Sequence, residues 1–179
     1  MRAKESGAVL LICLILLVPL LMLSLSAAET ALLGERMAAG AVDRNRAFQS
    51  AEAALEAAES WLADLASLPQ ASSEVGGQVW AEGVLNSPSA GALWWGDSDR
   101  DMAWWRSNAV PVTTVPDLAE PAHYIIEQYR FVRDGESIEL GTGQQRSLVA
   151  YHRITALGVG RRNSTRVLLQ TTYVRAFDE

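Results

Sequence analysis

Three clusters in this 179-residue sequence could carry chemistry. The stretch GDSDRD sets Asp97, Asp99 and Asp101 at alternate positions, which is how a calcium loop begins. An EF-hand loop opening at Asp97 needs Gly at its sixth position and Glu at its twelfth; Met102 and Asn108 stand there. A solvated acidic turn is therefore the default reading, with a calcium site of another kind as the alternative. Trp94, Trp95, Trp104 and Trp105 flank that turn. Tryptophans this dense either form the local core of a loop-rich segment, the reading we favour, or a partner-binding or sugar-stacking surface. Arg161, Arg162 and Arg166 cluster near the C-terminus, as a solvated turn or as a contact for an acidic face of another chain. His123 and His152 lie far apart and read as ordinary strand residues. No G-x-S-x-G elbow, phosphate loop or H-E-x-x-H motif is present. Cys13 is the single cysteine, so no internal disulfide forms, and with two histidines no zinc module does. The inventory predicts no catalysis, no cofactor and no metal apart from the weak calcium candidate. A net charge of -6 gives no sign of a specific nucleic-acid binder.

The elements that must position these clusters begin with an apolar run. Ala8 to Ala28 carry no charge, and about 21 residues suffice to cross roughly 30 Å of hydrocarbon as a helix. Arg2 and Lys4 precede the run and keep that end in the cytoplasm. Three readings of the segment compete. A cleaved secretory signal would use the small residues near Ala28. A signal anchor would stay uncut. A short basic leader ending at Gly7 would be removed on the cytoplasmic side, leaving the apolar run on the mature chain from Ala8.

The helix does not stop with the apolar run. Met37, Ala41, Phe48, Ala51, Leu55, Ala58, Leu62 and Leu65 recur at steps of four and three, with Arg44 in the one gap. Ala47, Ala54 and Trp61 widen the stripe on one side. Phe48 to Ala66 is rich in Ala, Glu and Leu, strong helix formers, and Pro69 closes the helix near Leu68. Pro19, Gly34 and Gly40 are places for it to bend. We take Phe48, Ala51, Leu55, Ala58, Leu62 and Leu65 as its packing face.

Residues 70 to 122 are rich in Gly, Ser, Pro and Trp and read as loops with short helices. Three strand candidates follow: His123 to Val132, Ser147 to Val159 and Thr165 to Phe177. Gly160 to Ser164 is a hairpin turn between the last two. The expectation is an α+β fold, the long N-terminal helix packed on a small antiparallel sheet of three strands and a possible fourth, its other face partly open to solvent.

Two stretches resemble a known family. Glu35-Arg36-Met37-Ala38, then Asp43-Arg44 through Leu55, is similar to the N-terminal region of PilX-type minor pilins of the type IV pilus. Tyr151 to Arg175 is similar to the C-terminal strands of that family. Residues 70 to 121 carry no such likeness. The resemblance implies the type IV pilin fold, with a prepilin leader over 1–7, a transmembrane and filament-core helix over 8–28, an amphipathic continuation over 29–68 and a globular domain over 69–179. It implies cleavage by prepilin peptidase between Gly7 and Ala8 and N-methylation of Ala8. It implies a protein membrane-inserted in the inner membrane before assembly, with its C-terminal domain periplasmic, that then joins the pilus at the cell surface. The implied partners are other minor pilins, the major pilin and a large tip adhesin, in a complex that primes assembly. Cell adhesion and twitching motility would depend on it; DNA uptake is the weaker idea for the arginine cluster. Most pilins carry Glu as the fifth mature residue, where this chain has Ile12. That departure fits a terminal position, as in the related tip pseudopilin of type II secretion. The competing readings are a type II secretion pseudopilin and a membrane-tethered periplasmic binding module using the tryptophan loop.

Overall fold

The computed structural model describes residues 6–73, 78–85, 93–96, 99–113, 115–133 and 147–178. Helix α1 runs from Ser6 to Asp64, through Pro19, Gly34 and Gly40 without interruption. Two hydroxyls in its apolar part fold back on their own helix: Ser24 Oγ donates to the Leu20 carbonyl at 2.8 Å and Thr30 Oγ1 to the Ser26 carbonyl at 2.9 Å. Such i−4 bonds satisfy polar groups that no water would reach in an apolar medium. The helix ends at Asp64, four residues before the expected stop at Leu68. Pro69 forbids the helical conformation only to the residue before it. At this end the Arg175 guanidinium donates to the Leu62 carbonyl, one of the acceptors that a helix C-terminus leaves without an internal partner.

The sheet has five strands: β1 (Val79–Trp80), β2 (Val110–Val112), β3 (Ala122–Arg133), β4 (Ser147–Val159) and β5 (Arg166–Asp178). The order is β1-β3-β4-β5, with β2 also pairing β3. Strands β3, β4 and β5 form the antiparallel body expected from their β-branched and aromatic residues. The two short strands differ from expectation. β2 adds antiparallel to the start of β3, and β1 adds parallel at Ile126 and Glu127, so the sheet is mixed. The β4–β5 turn is closed by the Gly160 amide on the Thr165 carbonyl and the Thr165 amide on the Arg162 carbonyl, both at 2.9 Å.

Each face of the sheet carries a core. Tyr124, Ile126, Ile154 and Ala156 point at α1 and pack on Ala51, Ala54, Ala58 and Leu62. Ile125, Leu157 and Val159 point the other way, into Trp80, Leu85, Trp94, Met102 and Trp105. The second face is thus covered over β3 and β4 by the tryptophan-rich segment. It stays open along β5, where Leu168 and Val174 are 37% and 49% exposed. On the same face Arg153 grips the buried Glu127 with two bonds of 3.0 and 2.9 Å. A charge this buried needs such a two-pronged partner.

The stripe of α1 that meets the sheet is narrower and made of smaller residues than periodicity suggests. Asp43, Ala47, Ser50, Ala51, Ala54, Ala58 and Leu62 are buried. Leu55, Trp61 and Leu65 pack at its margins, and Phe48 is 41% exposed, off the stripe. The cause lies on β4. A methyl group built on Gly158 would stand 2.0 Å from the Ala47 carbonyl oxygen and 2.6 Å from the Ala51 nitrogen. One built on Gly160 would meet the Asp43 carboxylate at 2.7 Å. Backbone therefore rests on backbone, which leaves room under β4 for Ala and Ser but not for Phe.

Two consequences are measurable on the full chain in detergent micelles. Gly158→Ala places a methyl group against main-chain atoms that cannot yield, and should cost about 3 kcal/mol or more in domain stability. Gly34→Ala, where the added methyl meets nothing within 4 Å, should leave the unfolding midpoint of the domain unchanged. Equal midpoints for the two variants would contradict the packing.

The second consequence concerns pH. His152 is fully buried, and neither ring nitrogen has a hydrogen-bond partner. His123 is 2% exposed with Nδ1 unpartnered. Burial holds both imidazoles below the ordinary histidine value of 6.5, partly offset at His123 by the Pro121 backbone and Glu120. The unfolded chain therefore binds more protons below that value. Stability should be flat above pH 6.5 and fall as pH drops through 6 and 5, by up to about 1.4 kcal/mol per pH unit for each histidine. Asp43 and Glu120, whose carboxyls are held low, lose their contribution only below their unfolded values of 3.8 and 4.5, outside that window. Denaturant midpoints across pH 5 to 8 test this, and His152→Leu should flatten the slope by about half.

Candidate functional site

The described chain divides into two compact units, Met1–Val42 and Asp43–Glu179. In the first unit α1 is apolar on every side from Leu10 to Ala28, before the charges of Glu29, Glu35 and Arg36. Leu10, Ile12, Leu17, Leu21, Met22 and Leu33 are each more than half exposed, although they lie all around the helix. The most apolar 18-residue window has a mean hydropathy of 2.8 and none of it is buried. A helix apolar all round belongs in lipid or in the interior of a larger protein assembly. The chemistry this surface can do is association: Leu and Ile bring dispersion contacts, while Ala27, Ala28, Ala31, Ala38 and Ala39 permit close approach of another helix. Cys13 sits exposed within it.

In the second unit Asp43 is the residue the sequence reading passed over. It is 8% exposed, and its Oδ1 accepts the Arg161 amide of the β4–β5 turn at 2.6 Å. The Thr165 hydroxyl first, then the Arg161 amide, with the Arg162 charge behind them, hold the carboxyl below its ordinary value against the opposing effect of burial. Its Oδ2 is buried without a hydrogen-bond partner among the described residues. Gly160 makes the approach possible, as the space for a side chain there is filled by Asp43 itself. A carboxylate on one stripe with Ala47 and Ala51, spaced by four residues, was the signal available in the sequence.

The tryptophans come together, but not as an open platform. Trp94 lies 5.5 to 5.8 Å, centroid to centroid, from Trp95, Trp104 and Trp105. Trp94 and Trp105 are buried at 4% and 2% exposure in the core under β3 and β4, leaving Trp95 and Trp104 partly exposed at its margin. The acidic turn is divided among other tasks. Asp101 caps the short helix α2 (Met102–Asn108), accepting the Trp104 amide at 2.8 Å. Asp99 pairs with Arg100 at 3.6 Å, and the Arg100 guanidinium lies 4.4 Å over the Trp104 ring. Asp97 lies outside the described residues, among which no group of three metal-binding side chains occurs. Arg161, Arg162 and Arg166 are exposed around the hairpin turn. Gly7 and Ala8 fall within the first turns of α1.

Comparison with family models places both stretches of resemblance in one family. Residues 6–56 match the PilX N-terminal model, and residues 43–175 match the model described as type IV pilus assembly protein PilX C-term. Neither the curated proteins nor the solved structures give a match. The two models overlap across Asp43 to Glu56, the part of α1 that the hairpin rests on, and between them take in the apolar helix and the sheet domain. The chain belongs to the PilX family of type IV pilus assembly proteins.

Proposed function

We propose that this chain is a minor pilin that helps to prime pilus assembly and forms part of a tip-associated complex with other minor pilins and a large adhesin. The observation that carries the reading is the single helix that is apolar all round as far as Ala28 and that, from Asp43, is the spine of a folded domain. A signal destined for removal needs no such continuation, and a simple anchor needs no packed spine. In this reading residues 1–7 are a leader, cut between Gly7 and Ala8 by prepilin peptidase, and Ala8 is methylated. Residues 8–28 hold the precursor in the inner membrane with the sheet domain outside it, and later pack among the helices of neighbouring pilins. Residues 29–68 join this segment to the globular part over 69–179.

Ile12 supports a terminal position. A carboxylate at that place would be buried among helices and would need an amine from a subunit stacked on it, since an unpaired buried charge is costly. The isoleucine makes no such demand, and it is 56% exposed on the isolated helix, free to pack against another. Hydrolytic chemistry has no support in the described residues. The two histidines are buried on strands, Asp101 caps a helix, Asp99, Glu120 and Glu127 sit in ion pairs, and Asp43 clasps the hairpin.

Mass spectrometry of the protein from membranes should find a chain that begins at Ala8 and carries one methyl group. An intact Met1 would make it a signal anchor, and a start after Ala28 would make it a secreted domain. Deleting the gene should remove surface pili and twitching while leaving general protein secretion intact. Loss of secretion with pili unaffected would move the protein to the type II secretion system.

A further inference from the structure

The tryptophan cluster holds two buried donors with no acceptor. Trp94 is 4% exposed, and its indole Nε1 is buried without a hydrogen-bond partner among the described residues. The Nε of Arg100 is buried and equally unpartnered. Both groups border one ring. The Trp94 centroid lies 5.8 Å from that of Trp104, and the Arg100 guanidinium stands 4.4 Å from it. An indole N–H and a guanidinium can only donate. Burying such a donor without an acceptor is costly, most of all where it is charged. Stacking on Trp104 uses the face of the guanidinium and leaves the Nε–H at its rim unserved. Asp99 does not meet the demand either. It approaches Arg100 only to 3.6 Å, beyond hydrogen-bond length, and its side chain is 70% exposed.

Two rings at the margin of the cluster are open to a ligand. Trp95 stands edge-on to Trp94 at an angle of 81°, and Trp104 edge-on to Trp105 at 86°. Both marginal rings are partly exposed, while Trp94 and Trp105 are buried. Aromatic faces thus stand beside donors that lack acceptors. The occupant's chemistry follows from that pairing. A sugar ring lays its C–H face on an indole and carries oxygens that accept. A carboxylate is the acceptor that matches a guanidinium in both charge and shape. One carboxylate is also the limit. Asp99 and Asp101 flank Arg100 in an acidic chain, so a polyanion such as a nucleic acid would be repelled. An extended peptide is held by main-chain bonds, which rings and a guanidinium do not offer.

We propose that Trp94, Trp95, Trp104 and Arg100 form a binding site for a saccharide unit that carries one carboxylate, a sialic or uronic acid at the end of a glycan. The two orphan nitrogens are closed to solvent in the free chain. Arg100, held by a stack and a long pair to an exposed carboxylate, is the side chain that moves. It turns from Trp104 to the ligand's carboxylate, and the sugar ring takes its place on the indole. The site lies wholly within the second compact unit, so it does not depend on how the N-terminus is processed.

Tryptophan fluorescence of the full chain in a zwitterionic detergent reads this binding, because four of the six tryptophans lie in the cluster. Sialyllactose and a glucuronic-acid-ended disaccharide distinguish the two sources of the carboxylate. At least one should give a saturable change, about tenfold tighter than the methyl ester of the same sugar. Arg100→Met should erase that preference and leave the unfolding midpoint unchanged or raised, since it removes a buried donor without an acceptor. Trp95→Ala should weaken acid and ester alike. A midpoint lowered by Arg100→Met with the preference for the acid intact would make the guanidinium a structural group and overturn the proposal. No saturable change with either acid would leave the two donors to water and overturn it too. So would equal binding of acid and ester, or tighter binding of oligothymidylate or a polyaspartate peptide.

Discussion

A helix that is apolar around its whole circumference cannot be left in water, and the pilus role proposed for this protein follows from that constraint. Fifteen large apolar side chains between Leu10 and Leu33 are at least half exposed. At roughly 1.5 to 3 kcal/mol for each such side chain fully removed from water, their burial is worth tens of kcal/mol, more than the roughly 5 to 15 kcal/mol that holds a typical domain folded. No rearrangement of the sheet domain could compensate for leaving that surface wet. Lipid meets the requirement, and so does a bundle of similar helices, because both surround the helix with hydrocarbon. The same surface can therefore serve a membrane precursor and an assembled filament without a change of fold.

From Asp43 onward the constraint on α1 is different. There the hairpin of β4 and β5 presses glycine backbone onto the helix, so the buried stripe is drawn in alanine and serine rather than in leucine. Burying small residues yields little hydrophobic energy per residue, but it lets two main chains approach closely along several turns. Asp43 and Arg175 fix the two ends of that contact by hydrogen bonds, one to the turn amide at Arg161 and one from the guanidinium to the Leu62 carbonyl. Ion pairs and caps elsewhere, such as Arg106 with Glu120 and Asp101 on α2, pin the covering segment on the opposite face of the sheet.

Much of this was legible in the sequence because the responsible signals are local. Ser147–Val159 is a run of strand formers ending at a glycine, and the structure gives β4 those limits. The Gly-Arg-Arg-Asn-Ser turn, the α+β layering and the long helix follow from composition and period in the same way. What was illegible depends on contacts distant in sequence. Phe48 reads as core by period and hydropathy, but Gly158, more than a hundred residues away, decides that the sheet sits over Ala47 and Ala51. β1 has two residues and β2 three, too short for any period to declare them. Their places are set by the free edge of β3. The four tryptophans could not be told apart by sequence, whereas Trp94 and Trp105 are buried because Ile125, Leu157 and Val159 offer them an apolar floor. Asp43 was hidden in plain view, since an acidic residue at the head of an alanine stripe looks like any solvated helix carboxylate until the Arg161 amide is seen to approach it.

The chain carries its own probe of the central claim. Cys13 is its single cysteine, and it is exposed on the apolar helix. Labelling with a membrane-impermeant maleimide on intact membranes, and again after solubilisation in SDS, reports whether that helix is present on the mature protein and whether it is shielded. The account predicts no label before SDS and one label per chain after it. Labelling before SDS would show a helix standing in water, and absence of label after SDS would show that the apolar segment had been removed; either result contradicts the account.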